Sequence, residues 1–284
     1  MGSQTEISAF GAGSRPSFED INAWFRSDLG QHILRTETLM LEQLLPGLFG
    51  YHLAQVSVQK EPLHQASPIQ NKFSIGLDGT TFDSSEFGSS AADSLISEEP
   101  KTHGVISSPA DLPFADDSID VVLAHHLLEF ANNPQDILRE LSRVTLPMGH
   151  VIFVGFNPHS LWGLWRSFAQ FKGNAPWNGD FIRPGRLMDW LNLLNFRIDR
   201  AQYAIYRPPL QRYPGKLGDY SKGVSRSLNV PIGSLYVIVA RKHIGSVRRI
   251  KPVWKTEQSF GQLSAVRSMK PDGLSSTSHE PPLD

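Results

Sequence analysis

The stretch DLPFADDSIDVVLAHHLLEFANNPQDILRELSRVTLPMGHVIFVGF, residues 111–156, decides the fold. Within it SIDVVLAH (118–125) is an apolar run rich in β-branched residues, the composition of a strand buried on both faces of a parallel sheet. Asn133-Pro134 then opens a helix that runs through Val144. Pro134 takes a first-turn position, Ile137, Leu138, Leu141 and Val144 share one face, and Pro147 lies beyond the end. HVIFVGF (150–156) is the next buried strand, and GVIS (104–107) is a short strand upstream. Strand, helix and strand in alternation require crossover connections between parallel neighbours. The prediction is therefore an α/β fold built on a doubly wound, mostly parallel sheet.

Outward from this centre the pattern continues. YHLAQVSV (51–58) alternates apolar and polar residues as a strand does, and KFSIGL (72–77) reads as another. Residues 78–102 hold six acids against Lys101 alone and many serines, which marks an acidic insertion, although Ala91–Ile96 allows one helical turn. Further upstream Ile21, Trp24, Phe25, Leu29, Ile33 and Leu34 recur at helical spacing, predicting an amphipathic arm over 18–45 in one or two pieces. Residues 1–17 read as a flexible lead-in. Downstream come helical segments at 160–171 and 184–194, with Pro176, Trp177 and Gly179 in the loop between them. Phe196–Tyr206 and Ser234–Lys242 are two strands separated by a segment rich in Pro, Gly and Lys, and they predict an antiparallel terminal pair. Residues 246–284 read as a disordered tail, because 255–284 combine six serines and four acids with few apolar anchors. The main domain is expected over 46–245.

Composition narrows the function. Lys and Arg total 27 against 28 Asp and Glu, a formal net charge of −1, so the long-range field by which nucleic-acid coats gather phosphates is missing. The absence of cysteine excludes disulfides, Cys-ligated zinc, iron–sulfur clusters and a thiol nucleophile. The longest mainly apolar runs, 119–128 and 150–156, are well short of the ~20 residues that span a bilayer. Met1–Phe18 carries no continuous apolar run and does not read as a signal peptide. A cytoplasmic chain with neither nucleic-acid nor membrane partners is expected.

Segment 111–156 resembles the middle of a class I S-adenosylmethionine-dependent methyltransferase, of the type 11 kind that includes quinone and sterol methyltransferases. The resemblance rests on LPF before an acidic turn, the SIDVV strand, HHLLE, the Pro-started helix with RELSRV, and a Pro-Met-Gly turn into a strand. FNPHSLWGLWR (156–166), RLMDWLNLLNF (186–196) and YRPPL (206–210) resemble a bacterial subgroup of unassigned substrate. Together the similarity covers about residues 45–242. It implies a seven-stranded Rossmann-like sheet with S-adenosyl-L-methionine above the carboxyl ends of its strands. It also implies methyl transfer to a small-molecule acceptor. A second reading is the same scaffold without cofactor, serving as a binding or regulatory protein. A nicotinamide dehydrogenase does not fit, since no G-x-G-x-x-G opens the first strand–helix turn.

The resemblance assigns site residues position by position. The glycine loop that family members carry after the first strand is here Ser57-Val58-Gln59-Lys60-Glu61, with no glycine and a β-branched Val58 that crowds a ligand. Ser57 is the cofactor contact expected there. Asp78, 21 residues after Ser57, is the candidate for the ribose hydroxyls, or it simply begins the solvated acidic insertion. Ser108 stands where the family places an acid facing adenine, with Ala110 and Asp111 beside it. His125 and His126 end the central strand, where they either line the transfer pocket, with His126 able to take a proton, or pack beneath the next helix and serve a loop hydrogen bond. No metal is expected of them, because adjacent residues point apart. Glu129 reads as a cap or ion-pair partner. Asn157 and Trp162 are candidates for the acceptor pocket, with Trp165 and Trp177 nearby. NPHS is equally a turn with Ser160 capping the following helix. Arg183, Arg186, Arg207, Arg212 and Lys216 form either solvated surface or a site for an anionic acceptor.

Overall fold

A computed structural model describes residues 18–59, 61–77, 102–169, 175–209 and 229–243. The lead-in, Asp78 with the acidic insertion to residue 101, Arg212, Lys216 and the tail from 244 lie outside the described residues. The elements in chain order are α1 (Phe18–Phe25), α2 (Asp28–Leu44), β1 (His52–Ser57), β2 (Asn71–Gly76), β3 (Thr102–Ile106), β4 (Ile119–His125), α3 (Pro134–Val144), β5 (Thr145–Phe156), α4 (Leu161–Ala169), α5 (Pro184–Leu193), β6 (Phe196–Ala204) and β7 (Leu235–Lys242). A short 3₁₀ turn, Leu45–Gly47, closes α2 at Pro46.

Seven strands form one sheet in the order β3-β2-β1-β4-β5-β7-β6. β1, β2, β3, β4 and β5 run parallel, while β7 is antiparallel to both β5 and β6. The doubly wound, mostly parallel fold and its antiparallel terminal pair are thus as expected. β4 is the spine: Val121, Val122, Leu123 and Ala124 are all sealed from solvent, which explains why its sequence is a continuous apolar run rather than an alternation. β5 begins five residues earlier than the apolar run suggests. Thr145 pairs with Ile119 directly after α3, and the register then jumps to Val121 opposite His150. Residues 146–149, with Met148 at φ 68°, bulge out between those pairs.

Between β1 and β2 there is no helix among the described residues. The connection is an irregular loop whose backbone leans on strand side chains. Gln55 Nε2 and Gln59 Nε2 both donate to the Glu61 carbonyl, at 2.9 and 2.7 Å, and the Leu63 N–H donates to Gln55 Oε1 at 2.7 Å. Leu63, His64 and Ile69 are buried beneath it.

The arm is two helices joined by a sharp elbow. Ser27 caps α2 by accepting from the Gly30 N–H at 3.1 Å. Gly30 lies against the Trp24 carbonyl and the Phe25 backbone, an approach that only a residue without Cβ allows. α2 lays Leu29, Ile33, Leu34, Met40, Leu41 and Leu44 into the core, and Glu37 is buried on that same face.

Candidate functional site

In open α/β sheets ligands bind beyond the carboxyl ends of the strands where the order reverses. Here the reversal lies between β1 and β4. Their last residues, Ser57 and His125, are register partners. Ser57 Oγ and His125 Nδ1 are 2.9 Å apart, so a hydrogen bond spans the switch point itself.

One residue further on, His126 adopts φ 48°, a left-handed conformation that is costly for a side chain of its size. Its N–H still donates to the Val154 carbonyl at 3.0 Å. This turn changes the geometry that simple strand alternation predicts. Rather than pointing apart, the two imidazoles stand edge to face at 81° with centroids 4.7 Å apart and bring their Nε2 atoms to one carboxyl group. That group is Glu37 of α2: His125 Nε2 lies 2.9 Å from Oε2 and His126 Nε2 2.7 Å from Oε1. His126 Nδ1 faces Glu129 Oε1 at 3.2 Å, and the same oxygen accepts from the Phe156 N–H at 2.8 Å. All four side chains are almost wholly buried. Phe25 packs 5.5 Å from each imidazole, and Phe156 stands 4.2 Å from His126.

Electrostatics follow from this packing. Burial alone would push the Glu37 carboxyl up, yet the charges and hydrogen bonds of His126 and His125 hold it at about 2. Burial would push His126 down, but Glu37 and Glu129 on either side lift it to about 9. His125 is pushed down by burial against the opposing pull of Glu37. Both ring nitrogens of His126 are engaged by carboxylates, Nε2 by Glu37 and Nδ1 by Glu129, so neither faces an open site in this arrangement.

The other candidate residues fall into two groups. Ser57 is buried and joins the histidine network, while Ser108, Ala110 and Asp111 are exposed along one rim, in a turn where the Asp111 N–H donates to the Ser108 carbonyl at 3.0 Å. Asn157 is wholly engaged with backbone: its amide donates to the Pro231 and Gly233 carbonyls at 3.0 and 2.9 Å, and its Oδ1 accepts from the His159 N–H at 3.0 Å. Trp162 is fully buried, stacked 5.7 Å from Phe156, with Nε1 donating to the Arg207 carbonyl at 3.0 Å. Both pin the loop after β5 instead of facing an open pocket. Ser160 caps α4, accepting from the Gly163 N–H at 3.3 Å. Beside this loop lies a cleft of about 990 Å³, lined among others by Leu128, Ala131, His159, Phe181, Arg183 and Arg186.

Glu37 is the site residue that sequence reasoning passed over. Its signal was an acid four residues after Ile33 and four before Leu41, in the middle of the apolar stripe of α2.

Comparison with known proteins places this geometry. A family model described as a methyltransferase domain matches residues 69–153, which run from just before β2 to within β5. A protein of Escherichia coli K12 known as YafS, itself uncharacterized, is 36% identical over 139 residues, covering 49% of this chain and 54% of that protein. A malonyl-[acyl-carrier protein] O-methyltransferase from Halorhodospira halophila is 44% identical over 64 residues, 22% of each chain. This chain spans about half the length of the first two curated relatives it matches, 54% and 55%. Among solved structures, an S-adenosylmethionine-dependent methyltransferase from Thermotoga maritima superimposes with a TM-score of 0.54 at 19% identity, covering 79% of this chain and 95% of that one. A methyltransferase solved with the Haloferax volcanii Trm112 activator gives 0.54 at 14% identity, covering 80% and 97%.

Residues 69–153 thus match a methyltransferase domain, the fold is that of the methyltransferase structures it superimposes on, and S-adenosyl-L-methionine is the cofactor that this family and fold imply. Ser108, Ala110 and Asp111, the residues expected to face its adenosine side, are exposed. Its methionine side does not fit the described arrangement. Ser57, Val58 and Gln59 are buried where a glycine turn would leave room, and Glu37 with Phe25 fills the space above His125 and His126.

Proposed function

We propose that this protein transfers a methyl group from S-adenosyl-L-methionine to a small-molecule acceptor, and that the α1–α2 arm and the cofactor's methionine end compete for the carboxyl edge of β1 and β4. The observation that carries the reading is the methyltransferase match itself: residues 69–153 contain β4, whose His125 closes the switch point against Ser57. The cleft lined by Arg183 and Arg186 together with Asp180 and Asp189 supports a small polar acceptor. No described helix is long and apolar enough to cross a membrane, and a cytoplasmic site of action is part of the proposal.

The test is titration calorimetry of the full chain with S-adenosylhomocysteine, together with thermal unfolding. The expected outcome is a dissociation constant in the micromolar range and a melting temperature that rises with ligand, by roughly 2.7 kcal/mol of added stability at a hundredfold excess over Kd. No heat and no thermal shift at millimolar ligand overturns it. One observation favours a second reading, a scaffold that binds no cofactor: the glycine-free first turn is buried and braced by Gln55 and Gln59. The same titration decides between the two.

A further inference from the structure

We propose that Glu37, His125 and His126 form a binding site for one divalent first-row transition-metal ion of the zinc type, which clasps the N-terminal arm to the sheet. The proposal does not depend on methyl transfer, because it concerns how the arm is held.

The donor set comes first. Two imidazole nitrogens and a carboxylate are the ligands that zinc, iron and related ions take from proteins. Their donor atoms here all lie within 4.8 Å of one another. Ligands at about 2.0–2.2 Å from one ion stand roughly 3 to 4 Å apart. The separations of 2.9 and 2.7 Å between the two Nε2 atoms and the Glu37 oxygens therefore need only a slight spreading of α2 from β4.

The surroundings of the donors point the same way. Metal-bound histidines almost always have the second ring nitrogen held by a carboxylate, hydroxyl or carbonyl that fixes tautomer and orientation. Both do so here: Ser57 Oγ is 2.9 Å from Nδ1 of His125, and Glu129 Oε1 is 3.2 Å from Nδ1 of His126. Each Nε2 is thereby the atom left to face Glu37. The left-handed backbone of His126 is what makes neighbouring residues converge.

Burial adds a third argument: Glu37, His125 and His126 are sealed from solvent, so their donor atoms face one another rather than water. The metal would stand where the two Nε2 protons now lie; His125 would then carry its single proton on Nδ1, facing Ser57 Oγ, and only the second proton of a doubly protonated ring would leave to solvent on binding. Since Glu37 belongs to α2, lifting the arm both admits the ion and breaks the site.

The experiment uses the full chain, stripped with a chelator and dialysed against Zn²⁺. The expected result is one equivalent bound, a raised melting temperature, and affinity at least ~100-fold weaker in Glu37→Gln, which keeps the side-chain shape but removes the charged ligand. Glu129→Gln should weaken binding by roughly 10- to 100-fold without abolishing it. His52→Gln, on the half-exposed start of β1, should bind like the wild type. X-ray absorption of the zinc-loaded wild type needs no variant to fold and should show two imidazoles and a carboxylate about 2.0–2.2 Å from the metal. Failure of the wild type to retain an equivalent, equal affinity in Glu37→Gln, or a shell with fewer than two imidazoles would each overturn the proposal. S-adenosylhomocysteine titration of the same preparations reads the methyl-transfer proposal separately.

Discussion

His64 sits 2% exposed beneath the β1–β2 loop, with Nε2 3.2 Å from Ser74 Oγ. Burial first, and then the nearby Lys72 ammonium, lowers its pKa from 6.5 to about 4. The unfolded chain therefore takes up this proton below about pH 6.5, while the folded chain resists until about pH 4, so acid draws the equilibrium toward unfolding. Stability should fall across that window by up to about 3 kcal/mol from this group. Urea unfolding at several pH values should show a shallower slope in His64→Gln. An unchanged slope would mean that other groups carry the acid sensitivity. Gly155 is equally exacting: a Cβ there would lie 2.6 Å from the Tyr236 hydroxyl and 2.7 Å from Glu129 Oε1. Gly155→Ala should cost about 1–3 kcal/mol in chemical denaturation, through overpacking beside the buried carboxyl. The sequence made His125, His126 and Glu129 readable as a group because they share one local segment. It hid Glu37, which approaches from 88 residues away, and it hid the convergence of the histidines, which depends on one backbone angle at His126.

At the scale of elements, apolar spacing predicted the arm well, but nothing in its pattern says what it covers. A stripe of Ile, Leu and Phe fits any apolar surface, whereas docking at the switch point depends on Phe25 meeting both imidazoles and on the elbow at Gly30. Phe25→Ala should remove about 3 kcal/mol of stability. Hydrogen exchange should show the loss first in α1 and α2, with β4 and β5 amides still protected. Gly30→Ala should produce the same regional pattern, because its Cβ would collide with the Trp24 carbonyl and force the elbow open. Uniform loss of protection in either variant would show that arm and sheet form a single cooperative unit. The strands, by contrast, were legible to within a few residues except at β5, where pairing through Thr145 extends the strand past a bulge that apolar content alone does not reveal.

For the whole molecule, strand type and rough position could be read from pattern, but the order of strands could not. The seven-stranded arrangement entered only through resemblance to a known family, because parallel neighbours separated by crossovers leave no mark on local sequence. Within that order β7, the last strand of the sheet in chain order, sits between β5 and β6. Its final residue, Lys242, then fastens to the Ser142 and Thr145 carbonyls at 2.7 and 2.8 Å. On a translating ribosome, every nascent chain shorter than about 240 residues would therefore display the naked flank of β5 and a β6 with nothing to join. Such flanks invite pairing with foreign chains. Newly made copies should need holdase protection until the closing strand emerges, and stop codons placed just ahead of Leu235 should yield inclusion bodies rather than a shortened soluble product.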